Sequence, residues 1–211
     1  MPGHRLFAAV YDRFLASAEK AGLARMRAEL LRGARGRTLE IGAGTGLNIG
    51  HYIGSVTELV LTEPDPHMAK RLRARAGEAD LPFPVEVAET GAEQIPFPDA
   101  SFDTVVCTLV LCTVPDPVRA TAEAARVLAP HGELLLIEHV RGEEGSRRSR
   151  WQDRLERPWG WVGAGCHPNR DTAATLSAAF DVSSLQSDRF PKAPPFIEPM
   201  IRGSARPLAA E

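Results

Sequence analysis

Glu40-Ile41-Gly42-Ala43-Gly44-Thr45-Gly46 is the stretch whose reading decides the fold. Three glycines at alternate positions follow a short apolar run, Thr38, Leu39 and Ile41, that is interrupted by the acidic Glu40. A turn without Cβ atoms can take positive φ and bring its backbone within contact distance of a ligand. A helix opening after such a turn aims its first N–H groups back at whatever lies over the turn. Strand, glycine turn and helix in this order begin a doubly wound α/β fold with a nucleotide-type cofactor over the turn. A plain tight turn is the alternative reading of the same residues.

The spacing narrows the cofactor. The dinucleotide fingerprint places its third glycine at position 47, which is Leu47; here it comes one residue early, at Gly46. A phosphate-binding P-loop needs Gly-Lys-Ser/Thr after its glycines, and none follows. The next apolar run, Leu59 to Thr62, ends in Glu63, about 20 residues after the first glycine. That is the distance expected of a carboxylate that accepts hydrogen bonds from both hydroxyls of a ribose.

Four ordered motifs then point one way: Glu-Ile-Gly-Ala-Gly-Thr-Gly at 40–46, Leu-Thr-Glu-Pro-Asp-Pro-His-Met at 61–68, Ile-Pro-Phe-Pro-Asp-Ala-Ser-Phe-Asp-Thr-Val-Val at 95–106, and Ala-Arg-Val-Leu-Ala-Pro-His-Gly-Glu-Leu at 125–134. Together they resemble a class I S-adenosylmethionine-dependent methyltransferase of the type that includes ubiquinone/menaquinone methyltransferases. The resemblance covers 37–140 closely. Cys-Thr-Leu-Val-Leu-Cys at 107–112, Glu-His-Val at 138–140 and Trp151-Gln152 leading to Gly165-Cys166 are similar, more narrowly, to animal thiol S-methyltransferases, which carry an N-terminal membrane segment.

The resemblance implies S-adenosylmethionine as the cofactor and a Rossmann-like sheet of seven strands, mostly parallel, with an antiparallel final strand. It also implies roles for individual residues. Gly42, Ala43, Gly44 and Gly46 let the backbone approach the methionine moiety and ribose. Glu40 positions the cofactor's amino end directly or through water, since a carboxylate favours an ammonium. Glu63 holds the ribose diol, with Pro64 and Met68 beside the adenine, and Thr108 lies beneath the sulfonium. The family's Asp-Ala pair after the third strand is replaced by Gly91-Ala92-Glu93. Adenine recognition then falls to backbone groups around Ala92 or to Glu93.

Bulk properties fit one domain over 1–211, with 44% hydrophobic and 25% charged residues and a net charge of −2. No general nucleic-acid surface is expected, because that needs a positive field along a face; Arg147, Arg148 and Arg150 read as a solvated loop or a phosphate contact. Three cysteines argue against a disulfide framework, and no apolar run approaches the ~20 residues of a membrane span. A reducing cytoplasm is the expected location. No metal site is expected either: Cys107, Cys112 and Cys166 with His139 and His167 contain no C-x-x-C pair.

Apolar spacing predicts helix over 5–33, broken at Gly22, with Leu6, Val10, Phe14 and Ala18 on one stripe. Residues 1–35 are expected to form a lid in which Tyr11 and Arg25 either contribute to the pocket or keep ordinary core or surface roles. Strands are expected at 37–41, 58–62, 83–88, 102–108 and 133–139, with helices at 45–53, 66–77 and from Pro117 to Leu128, the last ended by Pro130 and Gly132. A helical stretch over 145–160 belongs to an insertion, 141–170, over the substrate pocket. Asp171 caps a helix to about Ala179, and Val182–Leu185 and Ile197–Ala205 read as two last strands.

Ligands in such sheets bind outside the carboxyl ends of the strands. Leu109, Leu111, Cys112, Glu138 and His139 therefore face the acceptor. His139 is the candidate catalytic base, because imidazole takes up a proton near neutral pH; a hydrogen-bonded structural histidine is the alternative. Cys112 and Cys166 are pocket linings or inert buried thiols. Trp151, Trp159 and Trp161 either line an apolar acceptor pocket or bury the lid. The expected activity is methyl transfer to a small, fairly apolar molecule, a thiol by the narrower resemblance. A quinone or phenol, an amine, a non-catalytic binding module and an NAD-dependent oxidoreductase are the competing readings.

Overall fold

The computed structural model describes residues 5–163 and 165–208; the ends of the expected domain, 1–4 and 209–211, and Ala164 within the expected insertion lie outside the described residues, as does the side chain of Leu6. Helix α1 (Arg5–Ala18) passes through a π-helical stretch, Glu19–Leu23, into α2 (Ala24–Leu31). The break falls where the sequence places it, at Gly22, whose φ of 140° departs from helical geometry. The sheet then begins: β1 (Gly36–Ile41), β2 (Val56–Thr62), α3 (Pro66–Glu78), β3 (Val85–Ala88), β4 (Phe102–Thr108), α4 (Pro117–Val127) and β5 (Leu128–His139). The remainder is α5 (Arg147–Val162), α6 (Thr172–Leu176), β6 (Phe180–Asp181), β7 (Gln186–Arg189) and β8 (Pro199–Pro207).

Strand order is β3-β2-β1-β4-β5-β8-β6, with β7 also on β8. Strands β1 to β5 run parallel, and β8 lies antiparallel to β5, with Leu134 opposite Ala205 and His139 opposite Met200. Alternate residues of the central strands feed opposite cores. Val105, Cys107, Leu134 and Leu136 meet Ala120, Ala124 and Val127 of α4 and Leu176 of α6. Val106 and Leu135 meet Leu31 of α2 and Leu72 of α3. Helices thus cover both faces, and β4 reads as an almost unbroken buried run for that reason. The order reverses between β1 and β4, so the crevice above their carboxyl ends is the topological switch point.

Capping follows local chemistry. Asp65 accepts from the N–H groups of His67 and Met68 ahead of Pro66, and Asp116 from that of Arg119 ahead of Pro117. Proline at the first helical position forfeits an N–H that has no partner there. Asp171 likewise accepts from Ala174.

Three expectations need correction. The helix expected over 45–53 is a succession of tight turns ending in a 3-10 helix, Ile49–His51. Gly46 N–H donates to Ala43, Ile49 N–H to Gly46 and His51 N–H to Asn48. Gly46 and Gly50 lower helix propensity here, and the buried Asn48 side chain is committed to bonds outside the segment. Second, Val182–Leu185 is the turn between β6 and β7, not a strand, so eight strands replace seven. Asp181 accepts from Ser183 N–H and Ser184 donates to the Ser204 carbonyl, a side-chain-stabilised turn. Third, β5 starts at Leu128 directly after α4, before Pro130 and Gly132.

Candidate active site

A cavity of about 580 Å³ opens above the carboxyl ends of the strands. Its floor is the turn after β1 (Ile41, Gly42, Gly44), Glu63 and Pro64 after β2, the Gly91-Ala92-Glu93 segment after β3, Leu109 and Val110 after β4, and His139 ending β5. Tyr11, Phe14 and Leu15 of α1 cover it from one side, and Trp159, Gly163 and Cys166 from another. The loop from Phe190 to Ile197 completes the wall. Trp159 stands edge-on to Phe196 at 5.1 Å and packs near Phe14 at 6.4 Å, which ties α5 to α1 through aromatic contact.

The glycine turn is built for close approach. Gly42 has φ of 63°, and a Cβ there would lie 2.7 Å from Val110 Cγ2. Gly44, at φ 59°, presents an open face whose nearest neighbour to an added Cβ is Tyr11 at 3.7 Å. Gly44 N–H donates to Glu63 Oε2 at 2.9 Å, and Asp65 N–H to Glu63 Oε1, also at 2.9 Å. One carboxylate therefore sets the turn and keeps lone pairs for the cavity it lines. Burial raises the Glu63 pKa, against these two N–H groups, which favour the anion.

Glu40 is held behind the turn rather than in the cavity wall. Its two oxygens accept from Asn48 at 2.9 Å and the Tyr52 hydroxyl at 2.7 Å, and burial lifts its pKa to about 7. Asn48 also donates to Thr108 Oγ1 and accepts from Arg27. Glu40, Thr108, Ala43 and Gly42 enclose a second space of about 10 Å³, close to the size of one water. The Asn48–Arg27–Tyr52 network carried no sequence signal beyond Asn48 following the glycines.

Helix α1 is latched over the turn. Thr45 donates to Asp12 Oδ1 at 2.5 Å, and Arg75 of α3 to Asp12 Oδ2 at 2.6 Å. Tyr11 is brought into the cavity beside Gly44, whereas Arg25 is exposed and pairs with Glu29.

At the β4–β5 end the residues divide. Glu138 is fully buried, and its Oε1 accepts from Val110 N–H at 2.7 Å and Leu111 N–H at 3.0 Å. It fixes the loop after β4, where Leu109 sits at φ 59°, and burial pushes its pKa to about 8. Arg170 donates to the carbonyls of Leu111 and Val114 in the same loop. Leu111 lies in the core beneath the cavity, not in its wall. Trp151 and Trp161 are 54% and 91% exposed and away from the cavity; of the three tryptophans, Trp159 faces it.

His139, Cys112 and Cys166 meet at one end of the cavity. His139 Nε2 is 2.9 Å from Cys166 Sγ, and the ligand atoms of all three lie within 4.8 Å of one another, buried. The Cys166 thiol, together with His139, lowers the Cys112 pKa despite burial. Burial opposes protonation of His139, but the neighbouring Cys112 outweighs it and raises the pKa. Cys166 is raised by Cys112 and by burial. No spacing in the sequence announced this cluster, because its members come from three separate elements.

The sequence profile described as Methyltransferase domain matches residues 39–136. Thiol S-methyltransferase TMT1B of Homo sapiens is 37% identical over 182 residues, 83% of this chain and 73% of the relative. The chain belongs to the class I S-adenosylmethionine-dependent methyltransferases. Two solved structures share the fold. A possible histamine N-methyltransferase from Thermotoga maritima has a TM-score of 0.66 at 23% identity and covers 96% of both chains. The N-methyltransferase NodS from Bradyrhizobium japonicum, in complex with S-adenosyl-L-homocysteine, has a TM-score of 0.64 at 18% identity over 90% of this chain and 87% of NodS.

The enzyme's methyl donor is S-adenosylmethionine, and the residues present fit it. The uncovered face of Gly44, the Glu63 carboxylate with free lone pairs and an apolar cavity of cofactor-and-substrate size stand together at the switch point.

Proposed function

We propose that the enzyme methylates the sulfur of a small apolar thiol at the His139 end of this cavity. The observation that carries the reading is a mostly apolar pocket whose strand-end wall supplies a buried imidazole beside two thiols. The kinship with thiol S-methyltransferase TMT1B supports it. Helix α1 with its Asp12 latch acts as the lid, and the segment around Trp159 covers the acceptor.

When bound, S-adenosylmethionine supplies an electrophilic methyl group and leaves as S-adenosylhomocysteine. Glu63 would hold the ribose diol, with Pro64 and Met68 beside the adenine. Glu93 would take the place of the family's aspartate: a Cβ added at Gly91 would lie 3.0 Å from Glu93 Oε2, so that carboxylate already fills the space in question. Gly42, Ala43, Gly44 and Gly46 shape the backbone around the donor's amino acid end, and Glu40 reaches it through the small enclosed space it shares with Thr108. Tyr11, Cys112 and Trp159 would flank the acceptor. His139 would accept the thiol proton once the acceptor sulfur takes the place of Cys166 Sγ at Nε2, which leaves a thiolate for in-line attack in a site that excludes water. Because Cys112 raises the His139 pKa, the imidazole is a stronger proton acceptor here than in water.

Among the described residues no helix is long and apolar enough to cross a membrane. Three free cysteines, two of them in the acceptor wall, suit a reducing compartment, and we place the enzyme in the cytoplasm.

The test is methyl transfer to an alkyl thiol by the wild type, His139→Gln and Glu63→Ala. His139→Gln should lower kcat at neutral pH and recover activity with more acidic thiols. Glu63→Ala should raise the donor's KM instead. Equal activity of His139→Gln at every thiol acidity would remove the base from the reading.

A further inference from the structure

We propose that Cys112 Sγ, His139 Nε2 and Cys166 Sγ form a three-ligand site for a thiophilic divalent cation, zinc in the first instance, with its fourth position facing the acceptor cavity. The observation is convergence: the three ligand atoms lie within 4.8 Å of one another, all three residues are buried, and all three also line the cavity. Two sulfurs and one imidazole are a donor set that zinc takes when it keeps one position open for substrate. Bond lengths of ~2.3 Å to sulfur and ~2.0 Å to nitrogen put tetrahedral ligand atoms roughly 3.5–3.8 Å apart. A triangle with edges up to 4.8 Å and one edge of 2.9 Å reaches that geometry by small side-chain shifts.

Charge balance favours the same occupant. Metal entry displaces the thiol protons of Cys112 and Cys166 to solvent and leaves His139 neutral. Two thiolates then cancel the cation, so the buried trio itself carries no net charge. Soft sulfur ligands select zinc and similar ions over magnesium or calcium.

The consequence for catalysis rests on the thiol reading above. An acceptor thiol bound at the fourth position loses its proton to solvent on coordination, and the metal–sulfur bond holds it as a thiolate in the cavity. In the loaded enzyme His139 is then a ligand, and the metal replaces it in ionising the acceptor.

Cobalt(II) tests the site without depending on turnover. Chelator-stripped enzyme titrated with cobalt should take up one equivalent. It should show the visible ligand-field bands of a tetrahedral ion together with a thiolate-to-cobalt charge-transfer band. Zinc should erase both. Cys112→Ser and Cys166→Ser should each lose the charge-transfer intensity in part and weaken zinc binding by roughly 100-fold or more, beyond the loss that an outer-shell partner causes. Cys107→Ser, at a buried β4 position outside the trio, should keep the site. Binding of S-adenosylhomocysteine shows that each variant is folded. Adding a small alkyl thiol should shift the ligand-field bands. A folded enzyme without these bands, bands unchanged in the double cysteine variant, or bands that no thiol perturbs would overturn the proposal. Cobalt uptake by an enzyme that methylates no thiol would leave the metal site standing and remove the acceptor reading alone.

Discussion

Glu63 shows how one side chain joins turn and cavity. It accepts two backbone N–H bonds at 2.9 Å and still lines the cavity. Hydrogen bonds to a charged group contribute about 1.5–3 kcal/mol, so Glu63→Ala should weaken S-adenosylhomocysteine binding by roughly 10- to 100-fold; calorimetry showing an unchanged Kd would remove Glu63 from the donor site. Its place beside the glycine turn was legible in the sequence, because the separation of strand-end carboxylate and glycine turn is fixed by the fold. The part played by Glu40 was only half legible. Its acidic identity marks the motif, but its hydrogen bonds to Asn48 and Tyr52 depend on how the chain folds after Gly46. The shift in its pKa gives a second test. With an unfolded value of 4.5 and a folded value of about 7, the folded state keeps a proton that the unfolded chain releases. Stability therefore falls as pH rises between those values. In the ligand-free enzyme, Glu40→Gln should flatten that fall by on the order of 2–3 kcal/mol relative to wild type. Parallel pH–stability curves for the two proteins would contradict the buried, protonatable carboxylate.

At the scale of elements, strands and long helices were readable because burial imposes a period. The apolar run of β4 and the Asp-Pro starts of α3 and α4 carry their own signals. The segment after Gly46 was not readable: its turns are set by side-chain bonds from Asn48 to β1, β4 and α2. The short strands β6 and β7 were missed because pairing to β8, rather than apolar alternation, defines them; Gln186 to Arg189 contains no apolar residue. The latch on α1 was equally silent. Asp12 meets Thr45 and Arg75 across 33 and 63 residues of sequence. The pair is partly exposed, so Asp12→Ala should cost less than about 1 kcal/mol of stability. It should nonetheless raise the donor's dissociation rate several-fold and speed amide exchange in α1. Unchanged exchange in α1 would mean that Asp12 does not hold the lid.

For the whole molecule, the strand-order reversal between β1 and β4 opens one cavity above the carboxyl ends of the strands, which α1, α5 and the loop over 190–197 close. The glycine-turn motif and the motif carrying Glu63 located its strand-end floor, since each follows a parallel strand. They did not disclose the other end of the cavity, where Cys112, His139 and Cys166 converge from the loop after β4, the end of β5 and the segment after α5. Trp151 was the tryptophan the sequence put in the acceptor pocket, but it is exposed, and α5 instead turns Trp159 toward Phe14 and Phe196. The central claim is that this cavity delivers a methyl group to sulfur. Its most direct test is transfer of labelled methyl from S-adenosylmethionine in a competition mixture of alkyl thiols, phenols, quinols and amines. The account predicts labelled thioether from the wild type and little from His139→Gln, with the other acceptors unlabelled. Label on a phenol, quinol or amine in preference to the thiols, or donor binding with no thiol labelled, would contradict it.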